Sequence, residues 1–186
     1  NNGKLKKLNY ANGTSVEYKY NDLDNVSEIW YTVGESDAEL AYSYTYTAKG
    51  QLHSLEDHIN DRATIYEYDQ NGKVTKMLEY DSEDMTNLYE SRVNYSVVTG
   101  LVNGAYYKLA YTKGTAKYDA LWNYGYSYNE DQTVQMIEVS TPAADGEITY
   151  TYDDFYRLSG KTYAFGGQSG VGKSSLINAL YGFSLT

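Results

Sequence analysis

The sequence predicts an all-β protein built from consecutive antiparallel hairpins, and three observations carry that prediction. Tyr-x-Tyr recurs with an aliphatic residue six positions after the second tyrosine: Tyr18/Tyr20 with Val26, Tyr44/Tyr46 with Leu52, Tyr66/Tyr68 with Val74, Tyr126/Tyr128 with Val134, and Tyr150/Tyr152 with Leu158. The runs holding these pairs alternate with period two, as in 41–47 and 148–152, and are rich in residues that favour strands. Turn dipeptides separate the runs: Asn2-Gly3, Asn12-Gly13, Asn71-Gly72, Asn103-Gly104 and Asp145-Gly146. A fixed internal repeat means that one supersecondary unit is stacked many times.

The elements follow in order. Each unit of about 20–27 residues holds two strands and two turns. Hairpin turns are expected at Asn12-Gly13, Asn71-Gly72 and Asp145-Gly146, within an all-β body from about residue 4 to 165. The gap between Tyr68 and Tyr128 hides a degenerate copy, Val93-Asn-Tyr95 followed by Leu101. A second apolar residue stands nine positions after the tyrosine in four copies, at Ile29, Leu55, Met77 and Ile137; the fifth copy has Lys161. Positions six and nine have opposite parity. Either a bulge lies between them, or one of them packs against another layer. Tyr20, Tyr46, Tyr68, Tyr128 and Tyr152 are expected at equivalent, largely buried positions. Pro142 is expected beside a turn, where a missing N–H does least harm.

The segments Tyr66-Glu-Tyr68-Asp69-Gln-Asn-Gly72-Lys-Val74 and Tyr150-Thr-Tyr152-Asp153-Asp-Phe-Tyr-Arg157-Leu158 resemble YD repeats. These are found in bacterial Rhs and wall-associated proteins, in the cocoon-forming subunits of insecticidal Tc toxins, and in teneurins. The family pattern is roughly Tyr-x-Tyr-Asp-x-x-Gly-Arg-Leu. Here the Asp is replaced by Asn21, Thr47 and Asn129, and the Gly by Asp24, Gln132 and Tyr156. The resemblance covers roughly residues 1–165. It implies hairpins following one another in a twisted or spiralling sheet that can close into a hollow shell. It also implies a scaffold role at a bacterial surface or in a secreted protein, enclosing or displaying another domain, often a toxin. Its partners would be other repeats of the same parent chain. Asn2-Gly3-Lys4-Leu5 matches the second half of a repeat, so the chain is expected to be a piece of a longer array.

Composition agrees with a scaffold. The net charge of −10 disfavours nucleic acid and anionic membrane surfaces as partners. No apolar run reaches the length of a membrane-spanning helix. Cysteine is absent, which excludes disulfide and thiol chemistry. Tyrosine numbers 24 against three phenylalanines, the balance expected of a thin sheet with partly wet faces held by cross-strand aromatic ladders.

The C-terminal segment 166–186 reads differently. Gly167-Gln-Ser-Gly-Val-Gly172-Lys173-Ser174 matches the phosphate-binding P-loop, in which backbone N–H groups cradle phosphates, the Lys neutralises them and the Ser holds Mg²⁺. Residues 167–180 resemble the P-loop of circularly permuted ribosome-assembly GTPases. The upstream Asn-Lys-x-Asp of that family is missing, so the tail is expected to be foreign or vestigial. Residues 173–181 are expected to form one short helix, without GTP hydrolysis.

Other candidates for chemistry are few. The carboxylate clusters Asp22/Asp24, Glu56/Asp57, Asp81/Glu83/Asp84, Glu130/Asp131 and Asp153/Asp154 read as solvated turns rather than a glycosidase pair or a calcium loop. His53 and His58 read as ordinary strand or surface positions, so no metal, cofactor or catalytic residue is expected. The aromatic residues Tyr107, Trp122 and Tyr124 form a candidate glycan-binding platform, whose alternative is a ladder that holds the sheet. Three functional readings therefore stand: a structural scaffold, a glycan-binding module, and a nucleotide-binding P-loop protein using Lys173.

Overall fold

The computed structural model describes residues 3–113 and 116–166 of the chain. The P-loop segment and its expected helix lie outside the described residues. The chain is all-β, with thirteen strands and no helix among the described residues. It divides into two compact units, one ending at Tyr89 and the other beginning at Glu90.

The first unit holds β1 (Lys7–Asn9), β2 (Thr14–Tyr20), β3 (Val26–Val33), β4 (Glu39–Tyr46), β5 (Leu52–Asp57), β6 (Arg62–Tyr68) and β7 (Val74–Asp81). They pair antiparallel in sequence order, from β1 with β2 to β6 with β7. Strand β8 (Asn87–Tyr95) spans the boundary. The second unit continues with β9 (Val102–Lys113), β10 (Ala116–Tyr128), β11 (Val134–Ser140), β12 (Asp145–Tyr152) and β13 (Leu158–Gly166), again paired in order. The Tyr-x-Tyr strands are β2, β4, β6, β10 and β12. Each turns back into a return strand that opens on the aliphatic residue.

The parity conflict is resolved by a bulge. Tyr20 pairs with Val26, while Lys19 pairs with Glu28, so Ser27 is an extra residue on the return strand. The same shift occurs at Tyr46/Leu52, Tyr68/Val74, Tyr128/Val134 and Tyr152/Leu158. The first tyrosine of each pair then faces the residue nine positions after the second: Tyr18 faces Ile29, Tyr44 Leu55, Tyr66 Met77, Tyr126 Ile137 and Tyr150 Lys161. The bulge flips parity once, so both return-strand residues join the tyrosines on one face.

The turns after the tyrosines share one geometry. In every copy the residue after the tyrosine donates its N–H to the carbonyl four positions on, as Asp69 does to Lys73 at 2.9 Å. The fourth residue of the turn has positive φ: Asp24 67°, Gly50 80°, Gly72 85°, Gln132 70° and Tyr156 59°. The fourth turn position is thus left-handed whichever residue occupies it. In four copies the Asp position supplies a side-chain oxygen to the loop N–H groups. Asp69 Oδ1 accepts from Asn71 and Lys73 at 2.9 Å, Asp153 Oδ1 from Phe155 and Arg157, and Asn21 Oδ1 from Leu23 and Asn25. An oxygen without a charge does this at Asn21 and at Thr47, whose Oγ1 accepts from Gln51, whereas Asn129 Nδ2 donates to Thr133 Oγ1 and Asp131 accepts the Thr133 N–H.

Some expected turns and boundaries are corrected. Asp145-Gly146 lies in β12, and the turn before it is Thr141–Ala144, with Pro142 inside it. There Thr141 Oγ1 accepts from the N–H groups of Ala143 and Ala144. Gly146 serves closeness instead, since a Cβ there would clash with the ring of Phe165. Asn103-Gly104 lies in β9, where Gly104 faces Gly125 of β10. The degenerate copy has a longer loop: Ser96 donates to Leu101, and the strand opens on Val102 rather than Leu101.

The core is thin. Among the described residues the buried apolar side chains are Val16, Ala41, Ala63, Ala105, Val139, Ala144 and Ile148. The five repeat tyrosines are half-buried, not largely buried as expected. The opposite face in the first unit carries polar cross-strand pairs near the repeat turns. These are Lys19–Glu28 at 2.8 Å, Thr45–Ser54 at 2.6 Å and Glu67–Lys76 at 3.0 Å.

Candidate functional site: the tyrosine joints and the aromatic face

The hydroxyls of the repeat tyrosines make one contact again and again. Tyr20 Oη donates to the Leu5 carbonyl at 2.7 Å, Tyr46 to Val26 at 2.7 Å and Tyr68 to Leu52 at 2.6 Å. In the second unit, Tyr128 donates to Val102 at 2.6 Å and Tyr152 to Val134 at 2.9 Å. Each acceptor opens the return strand of the hairpin before, except Leu5, which lies two residues ahead of β1. Of the five aliphatic residues, Val26, Leu52 and Val134 are therefore each used twice. The side chain faces the tyrosine of its own hairpin, and the carbonyl receives the tyrosine of the next.

The strand ladders explain why these carbonyls are available. The last paired residues before each joint are Lys7↔Glu17, Glu28↔Ser43, Ser54↔Ile65, Gly104↔Gly125 and Met136↔Thr149. In all five the residue two past the acceptor pairs with the residue three before the tyrosine. Beyond that point the strand pairing ends, with one further backbone bond at the first joint, from the Tyr18 N–H to the Lys6 carbonyl at 2.8 Å. The phenol spans the gap and satisfies the carbonyl that the ladder leaves over, a bond of about 1 kcal/mol net. Burial pushes the Tyr46 and Tyr68 hydroxyls above their ordinary pKa, with Tyr66 adding to the effect at Tyr68. Sequence reasoning found the spacing of six but not the partner across hairpins, because the acceptor is a main-chain atom and leaves no residue signature.

The structure brings the proposed glycan residues together. Tyr107 of β9 pairs with Trp122 of β10, and Tyr124 lies two residues along on the same face. The rings of Tyr107 and Tyr124 meet edge to face, 6.0 Å apart. Burial, then Tyr107, raises the Tyr124 pKa. All three are half-buried, so their rings are partly presented to solvent. Lys161 extends this chemistry on β13, its Nζ standing 5.4 Å from the Tyr150 ring and 5.0 Å from the Tyr163 ring.

The remaining candidates are placed as follows. Asp57, Asp81, Asp131 and Asp153 accept loop N–H groups and so act within turns. No group of three or more acidic or histidine side chains among the described residues could hold a metal ion. His58 Nε2 lies 3.0 Å from Ser43 Oγ, and His53 Nδ1 lies 3.3 Å from the Tyr66 carbonyl. Gly167, Gly172, Lys173 and Ser174 lie outside the described residues.

No family model and no curated protein matches the chain. Among solved structures it is similar to a chain of the Photorhabdus luminescens Tc holotoxin pore, determined in a mutant form. The match has a TM-score of 0.50 and 14% identity, and covers 90% of this chain and 12% of that one. The likeness is one of fold, and this chain spans about an eighth of the length of the chain it matches.

Proposed function

We propose that the chain is a scaffold segment of a bacterial surface or secreted YD-repeat protein, building part of a shell or stalk that encloses or displays another domain. The observation that carries this reading is the tyrosine joint, repeated five times with one register rule. A device that ties each hairpin to the one before it serves extension, not turnover of a substrate. The fold likeness to a toxin assembly over 90% of the chain supports the same reading. In it the chain is not an enzyme, and its partners are further repeats and the domain they enclose. The test is made in the parent protein. Excising residues 1–165 with the flanking chain kept should expose the enclosed or displayed domain to protease. Unchanged protection would overturn the scaffold role.

A second reading is favoured by one observation, the placement of Tyr107, Trp122 and Tyr124 on a single face. Half-open aromatic rings in a row stack on the apolar faces of sugars. A glycan array probed with the intact chain should then show binding that Trp122→Ala and Tyr124→Ala both abolish. Signals that survive both variants would leave the rings with a purely cohesive role.

A further inference from the structure

Charge is sorted between the two faces of the second unit. The register lines up Tyr126, Ile137, Ile148 and Tyr163 in one row across β10 to β13, on the face that also holds Tyr124 and Trp122. Within 120–165 the strand carboxylates Glu138, Asp145 and Glu147 all stand on the other face, where Glu138 pairs with Gly125 and Glu147, and Asp145 with Ser140. The one charged strand residue on the aromatic face over that stretch is Lys161, opposite Tyr150. It stands where the other four copies carry Ile29, Leu55, Met77 and Ile137, it is exposed, and it is a cation in a chain of net charge −10. We propose that this face binds acidic oligosaccharides, with Lys161 taking a sugar carboxylate while the aromatic rings from Tyr163 to Trp122 stack on the sugar rings. The proposal rests on the glycan reading of the same face and names the class of sugar it takes.

The geometry around Lys161 suits a ligand that is both flat and charged. The rings of Tyr163 and Phe165 are stacked, with centroids 6.2 Å apart and planes 27° from parallel, and both are half-buried. The ammonium stands 5.0 Å from the Tyr163 centroid and 5.4 Å from that of Tyr150. The Tyr163 hydroxyl accepts a hydrogen bond from it and raises its pKa, so the charge is held at neutral pH. An ammonium has three N–H donors, so contacts with phenols and with a carboxylate are compatible. The floor beneath is closed already, with Val139 and Ile148 each 5% exposed. The row from Tyr126 to Tyr163 crosses three strand spacings, roughly 14 Å, which a chain of sugars spans and a single sugar does not. Stacking carries the affinity, and an exposed ion pair adds the choice of acid over neutral sugar. An anion is turned away from the opposite face, where Glu138 stands directly across from Glu147.

The test prints oligosaccharides of uronic and sialic acids on a glycan array, each beside its own methyl ester, and probes them with the full chain. The ester keeps the ring and removes the charge. At least one acid should bind about three- to fivefold more tightly than its ester, the size of an exposed ion pair, and added salt should shrink the difference. Lys161→Met restores the apolar residue that Met77 supplies in its own copy. This variant should bind acid and ester alike, with the affinity that the native chain has for the ester, while Lys161→Arg should keep the preference. Equal binding of acid and ester by the native chain, or a preference that survives Lys161→Met, would overturn the proposal and leave the glycan reading standing. Absence of binding to every acid, ester and neutral sugar on the array would sink both.

Discussion

The second tyrosine of each repeat is a cross-link between hairpins before it is a hydrophobic residue. Tyr68→Phe keeps the ring and removes only the hydroxyl, leaving the Leu52 carbonyl without its donor. We expect a loss of about 1 kcal/mol in urea unfolding, with the slope of the transition unchanged. A loss under about 0.3 kcal/mol would mean that water replaces the hydroxyl without cost. The same residues set an alkaline limit. Burial holds Tyr46 and Tyr68 protonated above the ordinary tyrosine value of 10.0. In the unfolded chain they ionise near that value, so the unfolded state loses protons first. Stability is therefore whole below about pH 10 and falls as pH rises beyond it. Tyrosinate absorbance should lag behind that of free tyrosine until the sheet unfolds; coincident titration would show the rings to be open to water.

At the scale of the hairpin, the turn after the tyrosine demands a left-handed residue, and three copies meet it with a side chain present. Gln132 sits at φ 70° without the freedom of glycine. Gln132→Gly should raise stability by about 0.5–1 kcal/mol, the strain relieved less the entropy that glycine adds to the unfolded chain. Thermal unfolding decides it, and a fall in the midpoint would mean that the Gln132 side chain contributes more than its strain costs. Much of this element was legible in the sequence. The spacing of six gave the hairpin, and the opposed parity of positions six and nine left a bulge as one of two solutions. What misled was glycine. At Gly72 it supplies a positive φ, but at Gly146 it makes room for Phe165 and at Gly104 it faces another glycine, and a dipeptide pattern cannot tell these uses apart. The aromatic face was legible as composition, since period two sends alternate residues of β10 to one side. That Tyr107 stands across from Trp122 was not, because register between strands depends on loop lengths such as the extra residue before Val102.

At the scale of the whole molecule, stability is close to a sum over hairpins and their joints, because each strand within a unit pairs only with its sequence neighbours. Removing one complete period should then leave every remaining joint intact. Deleting residues 47–68 splices Tyr46 onto Asp69, restores the spacing of six with Val74, and keeps the Tyr46–Val26 bond. We expect this variant to fold with β-type circular dichroism and a denaturant slope reduced in line with the surface removed. Deleting 47–57 alone should not fold, since it sets two tyrosine strands side by side. If the shorter deletion folds as well as the longer, the joints do not govern the register. The double use of Val26, Leu52 and Val134, side chain to one hairpin and carbonyl to the next, thus has a genetic meaning. Unequal recombination between repeats, cutting at any point so long as it cuts at the same point in both, yields an in-phase protein. Array length becomes a quantity that a lineage can adjust by slippage, with no compensating substitution at the seam.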